Sequence, residues 1–455
     1  MRTGGVFLRI LALFAIFALA GIRPSPTAGQ GTGLDKINHI IVIYQENWSF
    51  DSLYGKFPGA NGFRNAGETM KQVDKAGQPY ATLPQPLNAS ANPVGPDPRF
   101  PADLPVGPFD LAQYVKPDQK TGDLVHRYYQ EQYQIDGGKM DKYVAWSDAA
   151  GLVMSYYDAT TMPEGQLAQQ YVLADNFFHA AFGGSFLNHF WLVCACTPVW
   201  ASAPDAVRVQ LDATTGTMIK DGAVTPDGYA VNTAYSVNEP HPVGSDPTRL
   251  VPNQTAPTIG DRLDEKAISW KWYSGGWNAA LAGHPDPLFQ FHHQVFAYFA
   301  RYADGQPAKA QHLRDEQEFF ADLQQGMLPS VAFIKPLGPD NEHPGYASLV
   351  QGQQHVQQLV AAVMNSPYWA DSAIIITYDE HGGRWDHVAP PKVDRWGPGS
   401  RVPAIIISRY AKRHYVDHTQ YDTTSILKLM EDRWNLLPLA SRDARAGDLR
   451  HAFNF

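Results

Sequence analysis

The chain has 455 residues, with 36 Lys and Arg against 45 Asp and Glu, a formal net charge of −9. Its 44% hydrophobic share excludes disorder for most of the length, and 35 Pro with 38 Gly exclude a long coiled coil. A single long apolar run excludes a polytopic membrane protein, and the acidic balance excludes a nucleic-acid coat while leaving room for an anionic substrate at a locally positive site.

In chain order, residues 1–20 read as a secretory signal peptide. Arg2 and Arg9 form the positive region, an apolar stretch follows from Ile10, and Ala18-Leu19-Ala20 offers a cleavage site before Gly21. The mature protein is therefore expected in the periplasm or outside the cell, without a stable transmembrane anchor. Residues 21–36, rich in Pro, Gly and Thr, read as a flexible N-terminus. Residues 37–440 read as one catalytic domain. Its buried strands are expected at 37–44, 269–273, 330–334, 373–378 and 402–408, all nearly continuous runs rich in Val and Ile. Helices are expected at 165–171, 312–325, 353–364 and 421–436, the last with Asp422 as N-cap. This alternation predicts an α/β sandwich. Residues 61–118 and 197–258, polar and rich in turn formers, read as insertions forming a lid or cap. The two cysteines, Cys194 and Cys196, stand in an apolar run and read as small buried hydrophobes.

Ligands of open α/β sheets bind beyond the carboxyl ends of the strands. The first strand runs into Gln45-Glu46-Asn47, and the strand at 373–378 into Asp379-Glu380-His381-Gly382-Gly383. Two remote strands thus each deliver oxygen ligands suited to a hard divalent cation. Phe182-Gly183-Gly184-Ser185-Phe186-Leu187-Asn188-His189 places a serine after two glycines, where a tight turn exposes its hydroxyl. It lacks the G-x-S-x-G elbow of acyl hydrolases. His126, His292, His293, His343 and His387 stand in polar or Gly/Pro contexts and are candidates for phosphate binding and proton transfer.

Ile41 through Asp51, with Gln45-Glu46-Asn47-Trp48-Ser49-Phe50 at its centre, resembles the first block of the phosphoesterase family that contains bacterial phospholipases C and acid phosphatases. Thr377-Tyr378-Asp379-Glu380-His381-Gly382-Gly383, followed by Asp386-His387-Val388 and Pro390-Pro391, is similar to its second block. Gly399-Ser400-Arg401-Val402-Pro403 and the stretch from His418 to Ser425 resemble its C-terminal blocks. The resemblance implies a three-layer, alkaline-phosphatase-like α/β/α fold with a mostly parallel sheet. It implies a metal held by Glu46, Asn47, Ser185, Asp379 and Glu380, with Ser185 as nucleophile. An all-oxygen shell puts Ca²⁺ ahead of Mg²⁺ and Mn²⁺. Ser185 and His189 stand where phospholipases C of the family often have Thr and Arg, which points to the acid-phosphatase branch.

The expected activity is hydrolysis of phosphate monoesters through a phosphoserine. Asn188 would hold a phosphate oxygen, and His126, His292, His293 and His343 would bind the others and protonate the leaving group. Their protonation below about pH 6.5 would suit an acidic optimum. The alternative is a phospholipase C cleaving phosphodiesters of membrane lipids, with Trp48, Trp191 and Trp385 as candidates for a choline pocket. A lesser alternative is a non-catalytic, secreted, cation-dependent binding protein.

Overall fold

The computed structural model of the protein describes residue 1, residues 33–88 and residues 91–455. The expected signal peptide and most of the expected flexible N-terminus lie outside the described residues. Within the latter stretch, Leu34–Lys36 form a 3-10 turn with Leu34 buried.

Eight strands form the central sheet: β1 (His39–Gln45), β2 (Val172–Ala174), β3 (Trp270–Ser274), β4 (Leu313–Asp315), β5 (Val331–Lys335), β6 (Ser372–Tyr378), β7 (Ala404–Ser408) and β8 (Tyr415–Asp417). Their order is β4-β3-β5-β1-β6-β7-β2-β8. All pairs are parallel except those of β7, which runs against both of its neighbours. Every residue of β5, β6 and β7 is buried, as continuous Ile and Val runs require when helices cover both sheet faces. Helices Pro163–Gln170, Glu316–Gln325 and Leu349–Met364 pack together as one layer. Ser185–Cys194, Ile259–Glu265 and Thr424–Trp434 form the other, giving the three-layer α/β/α sandwich.

Three strands have no counterpart in the sequence pattern: β2, β4 and β8, each only three residues long. β4 interrupts the helix expected over 312–325, because Leu313 and Arg314 pair with Trp272 and Tyr273. Asp315 then opens the helix as a reciprocal capping box with Glu318, and Gly326 closes it in the left-handed region. The last long helix starts at Thr424 with Thr423, not the expected Asp422, as its N-cap, and Asp422 one residue earlier accepts from the Thr424 N–H at 2.7 Å. The cysteines correct the expectation of two thiols, since Cys194 and Cys196 are disulfide-bonded. The helix ends at Cys194, and Ala195 in the left-handed region turns the chain so that the two Cα atoms lie 5.1 Å apart.

The segment that reaches the site from β5 is tied to β1 by a buried pair of carboxyls. Glu342 accepts from Gln45 Nε2 at 2.8 Å and from the Tyr378 hydroxyl at 2.6 Å; that hydroxyl also lies 3.1 Å from Glu164. The Glu342 carbonyl accepts from the Trp48 indole. Burial pushes both acids up, Glu342 to about 7 and Glu164 well above the carboxylate range, the latter also by the neighbouring Glu342. A raised carboxyl contributes stability that is complete below its unfolded value of 4.5 and is lost as pH rises through about 7. Glu164→Gln is therefore expected to shrink the fall in Tm between about pH 5 and about pH 8 by roughly 2–4 °C. Scanning calorimetry showing an equal or steeper fall than wild type would count against the shared proton.

Candidate active site

Strand register builds the site. Tyr44 and Gln45 of β1 pair with Thr377 and Tyr378 of β6, and Ile43 pairs with Ile334 of β5. The residues that end or follow these three strands, Glu46, Asp379 and Lys335, therefore converge at one edge. Asn47 turns the chain there in the left-handed region at φ 67. Its N–H donates to Asp379 Oδ1 at 3.3 Å, as does that of Glu380 at 2.8 Å. Gly382 must also be left-handed, and a side chain on it would meet the Asn47 carbonyl at 2.2 Å.

Ser185 enters from the opposite layer as the first residue of its helix. Its hydroxyl lies 3.2 Å from Glu46 Oε2 and 3.3 Å from Asn47 Oδ1. The sequence-remote oxygens do meet. Asp379 Oδ2 and Glu380 Oε1 are buried without a hydrogen-bond partner, whereas Glu46 Oε1 faces the Lys335 ammonium and His293. Burial, then the Glu46 charge, raises Asp379; burial, then Asp379, raises Glu380. Three mutually repelling buried carboxylates, two of them with an open oxygen, fit a divalent cation, and Glu46, Asn47, Ser185, Asp379 and Glu380 would supply only oxygen.

Glu46 is the exception among these acids. Burial pushes it up, but His293, 2.9 Å from Oε1, and Lys335 outweigh burial and hold it well below the carboxylate range. Lys335, fully buried and 5.2 Å from the Tyr44 ring centre, was missed by the sequence reading. Its signal was present: a charge ends the apolar run 331–334 just as Glu46 follows β1. His189 also joins the site: its Nδ1–H donates to the Ser185 carbonyl at 2.7 Å, and its ring stacks on His293 with ring centres 5.1 Å apart.

His126, His292, His293 and His343 all gather around these oxygens. His126 and His343 each place Nδ1 2.5 Å from a backbone carbonyl, of Leu124 and Pro344, which fixes the tautomer and leaves Nε2 to the site. His126 Nε2 accepts from Asn47 Nδ2 at 3.4 Å. The expected imidazolium charges are not favoured: burial pushes His292 well below its usual value, His293 to about 4, and His343 down. Asn188 has a different task from the one expected. Its amide donates to the Ala181, Gly183 and Gly184 carbonyls and accepts from the Ala181 N–H, so it holds the serine turn. His387 lies apart, against Asp51 at 2.6 Å, in a network closed by Arg401 and Asp386. Trp48, Trp191 and Trp385 are core residues whose indole N–H groups donate to Glu342, Thr197 and Met140.

A cleft of about 390 Å³ opens beside the serine, lined by Gly184, His126, Asp123, Asp148, Asn232 and Thr233. Residues 197–258 thus border the site through Asn232 and Thr233. Residues 61–118 are packed down instead, with Leu83, Phe100, Leu104, Leu111 and Val115 buried.

A serine hydroxyl among buried carboxylates at the carboxyl edge of an α/β/α sheet defines a hydrolase acting on phosphoric ester bonds. The chain belongs to the Phosphoesterase family, which it matches over residues 37–437. It is 26% identical to phospholipase C B of Mycobacterium tuberculosis (strain ATCC 25618 / H37Rv), across 97% of this chain and 82% of that one. It is 25% identical to the non-hemolytic phospholipase C of Burkholderia pseudomallei, across 94% and 60%. A solved protein of the alkaline phosphatase superfamily from Vibrio parahaemolyticus is 10% identical, covering 72% of this chain and 73% of its own at a TM-score of 0.36, a likeness too distant to define the fold by itself.

Lys335→Met leaves Glu46 buried without its ammonium and is expected to cost about 3–5 kcal/mol of unfolding free energy in urea titration. Gly382→Ala forces Asn47 aside and is expected to weaken divalent-cation binding by about 10-fold or more in calorimetric titration. Unchanged binding would remove Asn47 from the ligand set.

Proposed function

We propose that the protein is an exported phosphodiesterase of phospholipase C type that works through a covalent phosphoserine at Ser185. The observation that carries this reading is the Ser185 hydroxyl lying between Glu46 and Asn47. The relatives, which are phospholipases C, support the diester over the monoester that the sequence reading put first. Glu46, Asn47, Ser185, Asp379 and Glu380 would hold a divalent cation, Ca²⁺ the favoured ion, whose charge would offset that of the phosphate and would lower the serine pKa.

Ser185 Oγ attacks phosphorus, a serine O–P bond forms, and the bond to the leaving alkoxide breaks. The serine proton ends on that alkoxide, with His126 Nε2 as its carrier at the cleft. Water then attacks phosphorus, the serine Oγ–P bond breaks, and the water proton passes through the same nitrogen to Ser185 Oγ, which regains its hydrogen as the phosphoryl product leaves. Neutral His292 and His293 act as hydrogen-bonding partners rather than as cations. Phosphate monoesters are the second reading, favoured by Ser185 and His189 at the positions where Thr and Arg mark many phospholipases C. Export is supported by the Cys194–Cys196 disulfide, which belongs to oxidising compartments.

Ser185→Ala is expected to lower kcat by at least about 10³-fold while the Tm is retained. Assays of p-nitrophenylphosphorylcholine against p-nitrophenyl phosphate decide between diester and monoester. Acid-quenched mass spectrometry is expected to find the phosphoryl group on the Gly184-Ser185 peptide. Turnover without that adduct, together with an active Ser185→Ala, would refute the nucleophile.

A further inference from the structure

Behind the serine turn lies a second buried cluster that touches none of the reacting oxygens. Glu131, on helix Tyr128–Ile135, is completely buried. Its Oε2 accepts from the Gly183 N–H at 2.6 Å. Its Oε1 accepts from the Ser400 N–H at 2.8 Å and hydroxyl at 2.9 Å, and lies 2.9 Å from His179 Nε2 and 3.6 Å from His381 Nε2. The two imidazoles stack with ring centres 5.4 Å apart. One carboxylate thus joins the turn before Ser185, the loop at Ser400, and the residue directly after Glu380.

Gly183 is left-handed at φ 89, and a side chain there would meet the Tyr128 N at 2.5 Å. The helix bearing Glu131 therefore lies directly on the turn. Asn188 holds the carbonyls of that turn, and Glu131 holds its N–H. Burial raises the Glu131 pKa, but facing His179 and His381, the His179 hydrogen bond and the Gly183 N–H outweigh burial and bring it to about 2. A charge this deep is costly unless every lone pair is engaged, and here each oxygen is.

We propose that Glu131 is a positioning residue that sets the place of the Ser185 hydroxyl relative to Glu46 and Asn47 through its bond to Gly183. The role rests on the reading of Ser185 as nucleophile. An amide at this position keeps the shape but presents N–H groups to at least one of the donors it must accept from. An aspartate keeps the charge beside His179 but falls short of Gly183.

The test compares Glu131→Gln and Glu131→Asp with wild type in the full chain, using whichever p-nitrophenyl ester wild type hydrolyses. Each folded variant is expected to lose about 10²-fold in kcat with KM within about 3-fold, the cost of a nucleophile out of line. Crystal structures are expected to show Ser185 Oγ out of hydrogen-bond reach of Asn47 Oδ1. Ser400→Ala, which leaves the Gly183 bond intact, should stay within about 3-fold of wild type in kcat. If Glu131→Gln does not fold, Glu131→Asp gives the same readings. A folded variant with kcat within about 2-fold of wild type, an unmoved Ser185, or an equal loss in Ser400→Ala would overturn the role. If wild type hydrolyses neither ester, the functional reading fails, and the position of Ser185 in the variant structures still decides for or against the positioning role.

Discussion

The repulsion among Glu46, Asp379 and Glu380 is the constraint on which the rest of the site depends. All three are fully buried at one sheet edge, and in a medium of low polarity such charges cannot simply coexist. Glu46 is charge-balanced from within the protein by Lys335 and lies 2.9 Å from His293, so it stays ionised. Asp379 feels Lys335 more weakly than burial and the Glu46 charge, and Glu380 is raised by burial and Asp379, so both are pushed toward protonation. The imbalance divides the cluster in two. The Oε1 side of Glu46 is satisfied by nitrogen cations and donors, whereas its Oε2 side, together with the open oxygens of Asp379 and Glu380, faces the serine. A cation is therefore called for on one side of Glu46 only, and that is the side where Ser185 stands.

The same electrostatics changes the part played by the histidines. Lys335 lies close enough to lower His189, His292 and His293 alike, and burial acts in the same direction. Neutral imidazoles can offer one directed N–H each to an anion but no net charge, so the positive charge fixed by the protein at this edge is that of Lys335. This removes the physical basis for deriving an acidic optimum from protonation of these buried histidines.

The strands that carry the chemistry were legible because they are long, apolar and β-branched, and because each ends abruptly in polar residues. Glu46, Asp379 and Glu380 stand where such runs stop, and Ser185 stands after a glycine pair that only a turn explains. Lys335 obeys the same rule, but a lysine at a strand end reads as a surface charge until the sheet order puts β5 beside β1. β2, β4 and β8 were not legible, since three residues show no period and pairing alone makes them strands. Asn188 is expected at the substrate as a holder of a phosphate oxygen. One helical turn from Ser185 places it equally well against the preceding carbonyls, and the folded turn takes both its hydrogens. The disulfide was hidden for a related reason: a C-x-C pair closes only when the middle residue leaves the helical region, and nothing in an alanine announces that.

The cleft places the question of substrate outside the sheet. Its walls come from the loop around Asp123 and His126, from Asp148, and from Asn232 and Thr233 in the 197–258 insertion, none of which lies in a strand of the core. Arg127 borders the same cleft, yet its guanidinium is engaged by Asp221 and the Gly222 carbonyl. Tryptophans that a sequence reading would enlist for a quaternary ammonium are instead sealed in the core. Asp123 and Asp148 at the cleft wall favour polar or cationic groups over an additional anion beside the phosphate. The core sheet thus brings the strand-end carboxylates together beside Ser185, while the cleft walls are loops whose residues follow no strand or helix period, and for that reason the site could be read from sequence where the substrate could not.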